Sequence, residues 1–175
     1  MNRKEKISFA ALHLFADKGY ESTSTQLIAQ KAEVSEALIF KHFGNKENLL
    51  HHIVKSGYAR IIAQNRGMLT ETDPLKLIHK VIDLPGKLVK DERAFWKLQT
   101  RLMEIDNFQL QYANFLSPVN TILIKAFSDL GYNHPEKETE LILLIVEGIW
   151  KNQVIKNDTK IKKLADFIKL KYTAQ

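Results

Sequence analysis

Cysteine is absent from the 175 residues, which excludes a disulfide framework, a thiolate nucleophile and cysteine-ligated zinc or iron–sulfur centres. Long apolar runs are absent too. The longest spans residues 141–146, six residues against the ~20 that a membrane helix requires, so no membrane partner is expected. The opening Met1-Asn2-Arg3-Lys4-Glu5-Lys6 is charged, and no hydrophobic stretch of signal length follows it; the expected location is the cytoplasm. Glycine and proline are scarce, at seven and four, and strict polar–apolar alternation, repeats and low-complexity segments are lacking.

What is present is a helical pattern. Apolar residues, 45% of the chain, recur at three- and four-residue spacing almost throughout. The expected class is all-α, with about nine helices. A chain of this length buries roughly 70% of the surface its unfolded form exposes, enough for one domain or a small domain fused to a medium one. The net charge of +6 is unevenly placed. Residues 1–50 hold seven Lys/Arg and six Asp/Glu, 51–150 twelve of each, and 151–175 seven against two. The basic C-terminal stretch reads as a solvated helix face.

The first helix is expected over residues 3–18, with Ile7, Ala10, Ala11, Leu14 and Phe15 on one face and Gly19 ending it. The second begins at Thr23-Ser24-Thr25-Gln26, read as a capping box with Thr23 as N-cap and Gln26 three residues on. Leu27, Ile28 and Ala32 give its core face. After a break at Glu33-Val34, Ser35 caps a short third helix that ends at Phe43-Gly44. Asn45 caps a fourth, with Glu47 near its positive end, running to about Arg66-Gly67. Asp73-Pro74 opens a fifth, which Pro85-Gly86 is expected to kink or break. A sixth covers about 91–105. The seventh starts at Ser117-Pro118, or near Gln109 with a bend there, and reaches Leu130-Gly131. An eighth covers about 134–156 and a ninth 159–172. The expected domains are 1–48 and 49–175.

Helix, three-residue break, helix is the geometry of a helix-turn-helix. In such a unit the first helix crosses the phosphate backbone, and the second lays its N-terminal residues against base edges in the major groove. Ile39 and Phe43, four apart, hold the third helix to the core, with Val34 packing the turn. Glu36, Ala37, Leu38, Phe40, Lys41 and His42 are left for an outer face. Ala37 and Leu38 suit thymine methyls, and Lys41 and His42 suit bases or phosphates. Helix N-termini suit phosphate oxygens. Thr23, Ser24, Thr25 and Gln26, then Ser35, then Lys46 stand at the starts of the second, third and fourth helices.

Gly19-Tyr20-Glu21-Ser22-Thr23-Ser24, Ile28-Ala29, Ala32, Val34-Ser35, Leu38-Ile39-Phe40-Lys41-His42-Phe43 and Lys46-Glu47-Asn48-Leu49 resemble the N-terminal signature of the TetR family of ligand-responsive bacterial transcriptional regulators. The resemblance covers about residues 5–50. It implies an N-terminal three-helix helix-turn-helix domain followed by a helical ligand-binding and dimerisation domain. It also implies a sequence-specific DNA-binding regulator: a ligand-responsive repressor that binds a palindromic operator in double-stranded DNA as a homodimer. A small-molecule effector is then expected, with no cofactor and no metal. Four residues depart from the family pattern. Glu33 stands where glycine is usual, and costs roughly 1 kcal/mol if that backbone is left-handed. Ala37 replaces a small glycine. Phe40 replaces a tyrosine whose hydroxyl typically meets a phosphate. Glu36 stands where a basic residue is common. Together they weaken the electrostatic part of DNA affinity.

Nothing after Leu50 marks a ligand by motif; the resemblance implies a pocket among the fourth to eighth helices. In the sixth, Phe95, Leu98, Leu102 and Ile105 form a core stripe. Trp96, Gln99, Thr100 and Met103 form a neighbouring one, apolar at its ends and polar in the middle, which suits either a pocket with a few polar anchors or packing against adjacent helices. Tyr112, Phe115 and Trp150 are weaker pocket candidates, with core packing as the alternative reading. The eighth helix is apolar all round over residues 141–146, with Gly148 following, so both faces need cover. In the ninth, Ile161, Leu164, Ala165 and Ile168 form a stripe with lysines opposite. Two such helices from each of two chains make a four-helix bundle, giving Leu141, Ile145, Gly148, Ile161, Leu164 and Ile168 as dimer-interface residues.

An enzyme is not expected. The six histidines include no pair three or four apart, so no helix face offers a metal pair. There is no phosphate-binding glycine loop and no recognisable nucleophile motif. A helical adaptor that binds protein rather than DNA is the alternative.

Overall fold

Asn2 opens helix α1 (Arg3–Lys18): its side chain accepts from Glu5 N–H while the Glu5 carboxylate accepts from Asn2 N–H. Gly19, at φ +91°, ends the helix by donating its N–H to the Phe15 carbonyl. Helix α2 (Thr25–Ala32) is capped by Ser24, whose Oγ accepts from Leu27 N–H. The expected cap at Thr23 is thereby corrected. Thr23 is fully buried and its Oγ1 donates to the Gly19 carbonyl at 2.7 Å. Glu33 does stand in the left-handed region, at φ +56°. Its N–H closes α2, and the chain turns into α3 (Glu36–Phe43).

Helix α4 (Lys46–Gln64), capped by Asn45, ends before the expected point, and a single short turn α5 (Arg66–Leu69) follows. The structure, a computed structural model, describes residues 1–103, 105–156 and 161–173, without the side chain of Ile161. The remaining helices are α6 (Pro74–Asp91), α7 (Arg93–Leu102), α8 (Asp106–Asp129), α9 (Pro135–Lys156) and α10 (Ile161–Lys169). The chain is all-α. No helix among the described residues is long and apolar enough to cross a membrane.

Helix α6 continues through Pro85 without a break, and α8 starts at Asp106, close to the second of its two expected starts, and runs on through Pro118. A proline removes one N–H from the ladder; the buried Pro85 and the apolar contacts on either side keep the helix whole. The sixth expected helix is shorter than 91–105, because α7 stops at Leu102. Ile105 therefore leaves the stripe of Phe95, Leu98 and Leu102 and is 48% exposed. The expected start of the last helix at Thr159 lies outside the described residues.

Two hydrophobic clusters hold the fold. The first runs from Ile7, Phe15, Ile28, Ile39 and Leu49 through Ile53 and Tyr58 into Phe95, Trp96, Tyr112 and Trp150. The N-terminal helices α1–α3 thus share one core with α4, α7, α8 and α9. The second cluster, around Ile78, Ile82, Leu123, Phe127, Ile142 and Ile149, fills the far end.

Candidate DNA-binding face and effector core

Several polar residues that the sequence offers to DNA instead bind the small unit together. Thr25 Oγ1 donates to the Glu36 carboxylate, tying α2 to α3 across the turn. Lys46 Nζ donates to the carbonyls of Tyr20 at 3.0 Å and Thr23 at 3.1 Å, and sits 4.1 Å from the Tyr20 ring centroid. Ser24 is engaged in its cap and Thr23 is buried. The expectation that Thr23 turns to DNA is corrected, since it is fully buried; Thr25, Glu36 and Lys46 are half-buried and, without DNA, bond within the protein. Short hydroxyls beside a helix start find nearby protein partners, and an ammonium beside unsatisfied carbonyls is held by them.

The outward face consists of other residues. Gln26, Ser35, Ala37, Lys41 and His42 are exposed, Phe40 is 46% exposed, and Leu38 is half-buried. Ile39 and Phe43 anchor α3 from behind. The start of α1 lies alongside: Asn2, Arg3 and Lys4 line one shallow depression with Leu38, Lys41 and His42. No spacing in the sequence marks Arg3 and Lys4 as neighbours of Lys41. Lys4 also lies 5.5 Å from the Phe43 ring. Behind it, burial and then the charge of Lys4 hold the His52 imidazole below its ordinary pKa.

Helix α7 carries a second constellation. Trp96 and Gln99, three apart on its inner face, are 2% and 1% exposed. Trp96 packs on Trp150 with centroids 4.8 Å apart. Tyr58 of α4 stacks on Phe115 at 4.4 Å and donates its hydroxyl to Gln99 Oε1 at 2.7 Å. Trp150 Nε1 donates to the Tyr112 hydroxyl at 3.3 Å. Burial pushes both tyrosine hydroxyls well above their ordinary pKa, so they stay neutral. Thr100 turns to its own helix and donates to the Lys97 carbonyl; Met103 is half-buried.

The outer face of α7 grips the DNA-proximal unit. Arg101 donates to the carbonyls of Ala16 at 3.2 Å and Asp17 at 3.3 Å, and Lys97 Nζ lies 2.7 Å from Asp17 Oδ1. These are the last carbonyls of α1, where unpaired C=O groups attract cations. Gly57 brings α4 against the same helix: a Cβ there would stand 2.1 Å from the Phe95 ring. Neither feature is readable from sequence spacing.

On the far side, Leu141 and Leu144 of α9 are 48% and 61% exposed, Gly148 is open and Ile145 half-buried. Leu164 and Phe167 of α10 are also exposed. Ile168 is not: with Ala165 it enters the chain's own second cluster, so it is removed from the interface set. One face of α10 packs inward and the neighbouring flank carries Leu164 and Phe167. The side chain of Ile161 lies outside the described residues.

The sequence profile described as "Bacterial regulatory proteins, tetR family" matches residues 7–53. Residues 7–53 are thus a TetR-type N-terminal domain. Among the chain's curated relatives is the uncharacterized HTH-type transcriptional regulator YvkB of Bacillus subtilis. It is 40% identical over 67 residues, which cover 38% of this chain and 33% of YvkB, so the chain spans about a third of that relative's length. Solved structures match over nearly the whole TetR-type fold. A transcriptional regulator from Aquifex aeolicus aligns with a TM-score of 0.77 at 23% identity, covering 98% of this chain and 100% of that one. FadR from Bacillus subtilis, solved in complex with stearoyl-CoA, aligns with a TM-score of 0.76 at 17% identity, covering 95% of each chain.

Proposed function

We propose that the chain is a DNA-binding transcriptional repressor that acts as a homodimer and leaves its operator when a small-molecule effector binds the second domain. The observation that carries this reading is the outward face of α3. Ala37, Phe40, Lys41 and His42 are exposed there beside Arg3 and Lys4, on a helix anchored by Ile39 and Phe43. Ala37 and Leu38 meet base edges, while Lys41, Arg3 and Lys4 meet phosphates of double-stranded DNA. Gln26, with the backbone N–H groups that open α2 and α4, receives further phosphate oxygens.

Dimerisation joins the exposed flanks of α9 and α10, where Leu141, Leu144, Leu164 and Phe167 otherwise face water and Gly148 permits close approach. Two-fold symmetry then requires inverted half-sites, their centres about one helical turn (~34 Å) or more apart. An effector beside Trp96 and Gln99 acts through α7, whose opposite face holds the end of α1 and whose Phe95 abuts Gly57 of α4. It releases DNA by favouring a dimer with the two reading helices wrongly spaced, and operator DNA weakens effector binding by the same factor. The stearoyl-CoA complex of FadR, a protein of the same fold, supports an effector role for this domain.

Operator titrations at several salt concentrations test the reading. Lys41→Ala should weaken every sequence alike and lower the salt slope by about one per monomer. Unchanged affinity and slope on every sequence would take α3 out of the groove and leave a protein-binding adaptor as the better account.

A further inference from the structure

Two hydrogen-bond donors at the centre of the second domain have no acceptor. Trp96 Nε1–H and the Gln99 Nε2 amide are buried without a partner, on side chains 2% and 1% exposed. A buried polar group left unpaired carries a desolvation penalty that native cores avoid. These two lie three residues apart on one helix, hence on one face. They sit in the same aromatic enclosure, formed by Tyr58, Phe95, Tyr112, Phe115 and Trp150.

The enclosure limits what can satisfy them. Both orphaned groups donate, so the partner must accept. Tyr58 donates to Gln99 Oε1, which leaves the amide N–H groups as the unpaired part of that side chain. Glu147, whose charge acts on the Tyr112 hydroxyl, and Lys151, beside the Trp150 ring, are paired with each other. Among the described residues, an ion in the enclosure would meet neutral donors and ring faces before any free counter-charge, which is costly at low dielectric. The near-parallel Tyr58 and Phe115 rings, 17° apart in plane, show that this wall takes flat groups face to face. Phe115 is only half-buried, which puts this ring at the margin of the enclosure.

We propose that the Trp96–Gln99 face of α7 receives an uncharged, flat, largely apolar effector through a carbonyl-type oxygen, which takes the two orphaned N–H groups while its ring occupies the Phe115 side of Tyr58. The assignment rests on the regulator reading of the second domain and names the class of molecule that domain recognises. It also gives the effector a direct hold on α7, the helix that clamps α1 from its other side.

The probe is acetophenone, an uncharged aryl ketone. Ethylbenzene matches its shape without the acceptor, and benzoate matches it with a charge. Each is titrated into the full-length protein carrying 15N-labelled tryptophan. The readouts are the Trp96 Nε1–H resonance and the midpoint of binding. Acetophenone should bind saturably and move the Trp96 signal. Ethylbenzene should bind about tenfold more weakly or worse, the size of two modest hydrogen bonds, and benzoate more weakly still. Gln99→Leu should narrow the gap between acetophenone and ethylbenzene to within about threefold. Equal binding of acetophenone and ethylbenzene, preferred binding of benzoate, or no saturable binding of acetophenone would each overturn the assignment. Operator affinity is measured on the same samples without probe. Its absence would defeat the regulator reading alone, whereas a failed probe series on an operator-binding protein defeats only the effector class.

Discussion

Gly57→Ala adds one methyl group to α4 where the ring of Phe95 crosses it. The new Cβ would stand 2.1, 2.5 and 2.7 Å from Cε2, Cδ2 and Cζ of that ring. Carbon pairs settle at about 3.5–4.0 Å, so ring and helix must separate by roughly 1.4 Å or more. Little gives way. Phe95 is fully buried and meets Tyr58 and Trp96 edge-on, with centroids at 5.3 and 5.7 Å. Overpacking of this kind costs about 1–3 kcal/mol, and a clash with the body of a ring lies near the upper end. Alanine in place of a mid-helix glycine offsets about 1 kcal/mol. The net loss should be about 2 kcal/mol, or ~4–8 °C in Tm for a chain of this size at fixed protomer concentration. Thermal and urea unfolding measure it. Phe95→Leu shortens the offending side chain, so the double variant should be more stable than the two single changes sum to, by about 1 kcal/mol. Because α4 begins at the DNA face, operator affinity should fall in Gly57→Ala and partly return in the double variant. A stabilised Gly57→Ala, gaining the ~1 kcal/mol of simple helix propensity, would refute the close-contact argument.

A Cβ at Gly148 stands in open space, with nothing beyond its own helix backbone within 4 Å, so Gly148→Leu should leave the folded protomer intact while sedimentation shows loss of the proposed dimer and operator affinity falls; an intact dimer would remove the role given to this glycine. Lys46→Met leaves the Tyr20 and Thr23 carbonyls without their donor and should cost about 2 kcal/mol in DNA-free unfolding. A change confined to the salt slope of DNA binding would mean that this lysine serves DNA instead. The hydrogen bond from Lys97 holds the Asp17 carboxyl below its ordinary value of about 3.9. A depressed carboxylate contributes stability above its unfolded pKa and loses it as pH falls through the folded one. Lys97→Gln should therefore raise the Asp17 pKa in an NMR titration and flatten the acid loss of stability; an unmoved titration would show that the α1–α7 ion pair does not form in solution.

Much of the candidate DNA-binding face is legible in the sequence because its determinants are local. Gly19, Asn45 and the left-handed turn at Glu33 act within one turn of a helix end, and the Ile39–Phe43 spacing sets which side of α3 is buried. The same local logic misplaces the cap of α2. Thr23 and Ser24 are equally good N-caps by type, and only the path of the chain past Gly19 turns the first inward and leaves the second at the helix start.

The residues that connect the parts were decided by the tertiary structure. Lys46 answers carbonyls 23 and 26 residues away, and Arg101 one 85 residues away. No periodicity within a helix encodes which distant backbone will present an unpaired carbonyl. Pro85 reads as a kink or break and Pro118 as a helix start or a bend because each removes one local hydrogen bond; packing on both sides of α6 and α8 keeps both helices continuous. Trp96 and Gln99 could be nominated from their stripe, but their unpaired N–H groups and their enclosure by Tyr58, Phe115 and Trp150 arise only when α4, α7, α8 and α9 converge. Helix positions and the buried face of the N-terminal unit follow from local sequence, since 3.6-residue periodicity and capping are properties of neighbours along the chain. Which polar groups stay free for DNA or an effector was left to the fold, because a hydrogen bond is settled by what stands within ~3 Å in space.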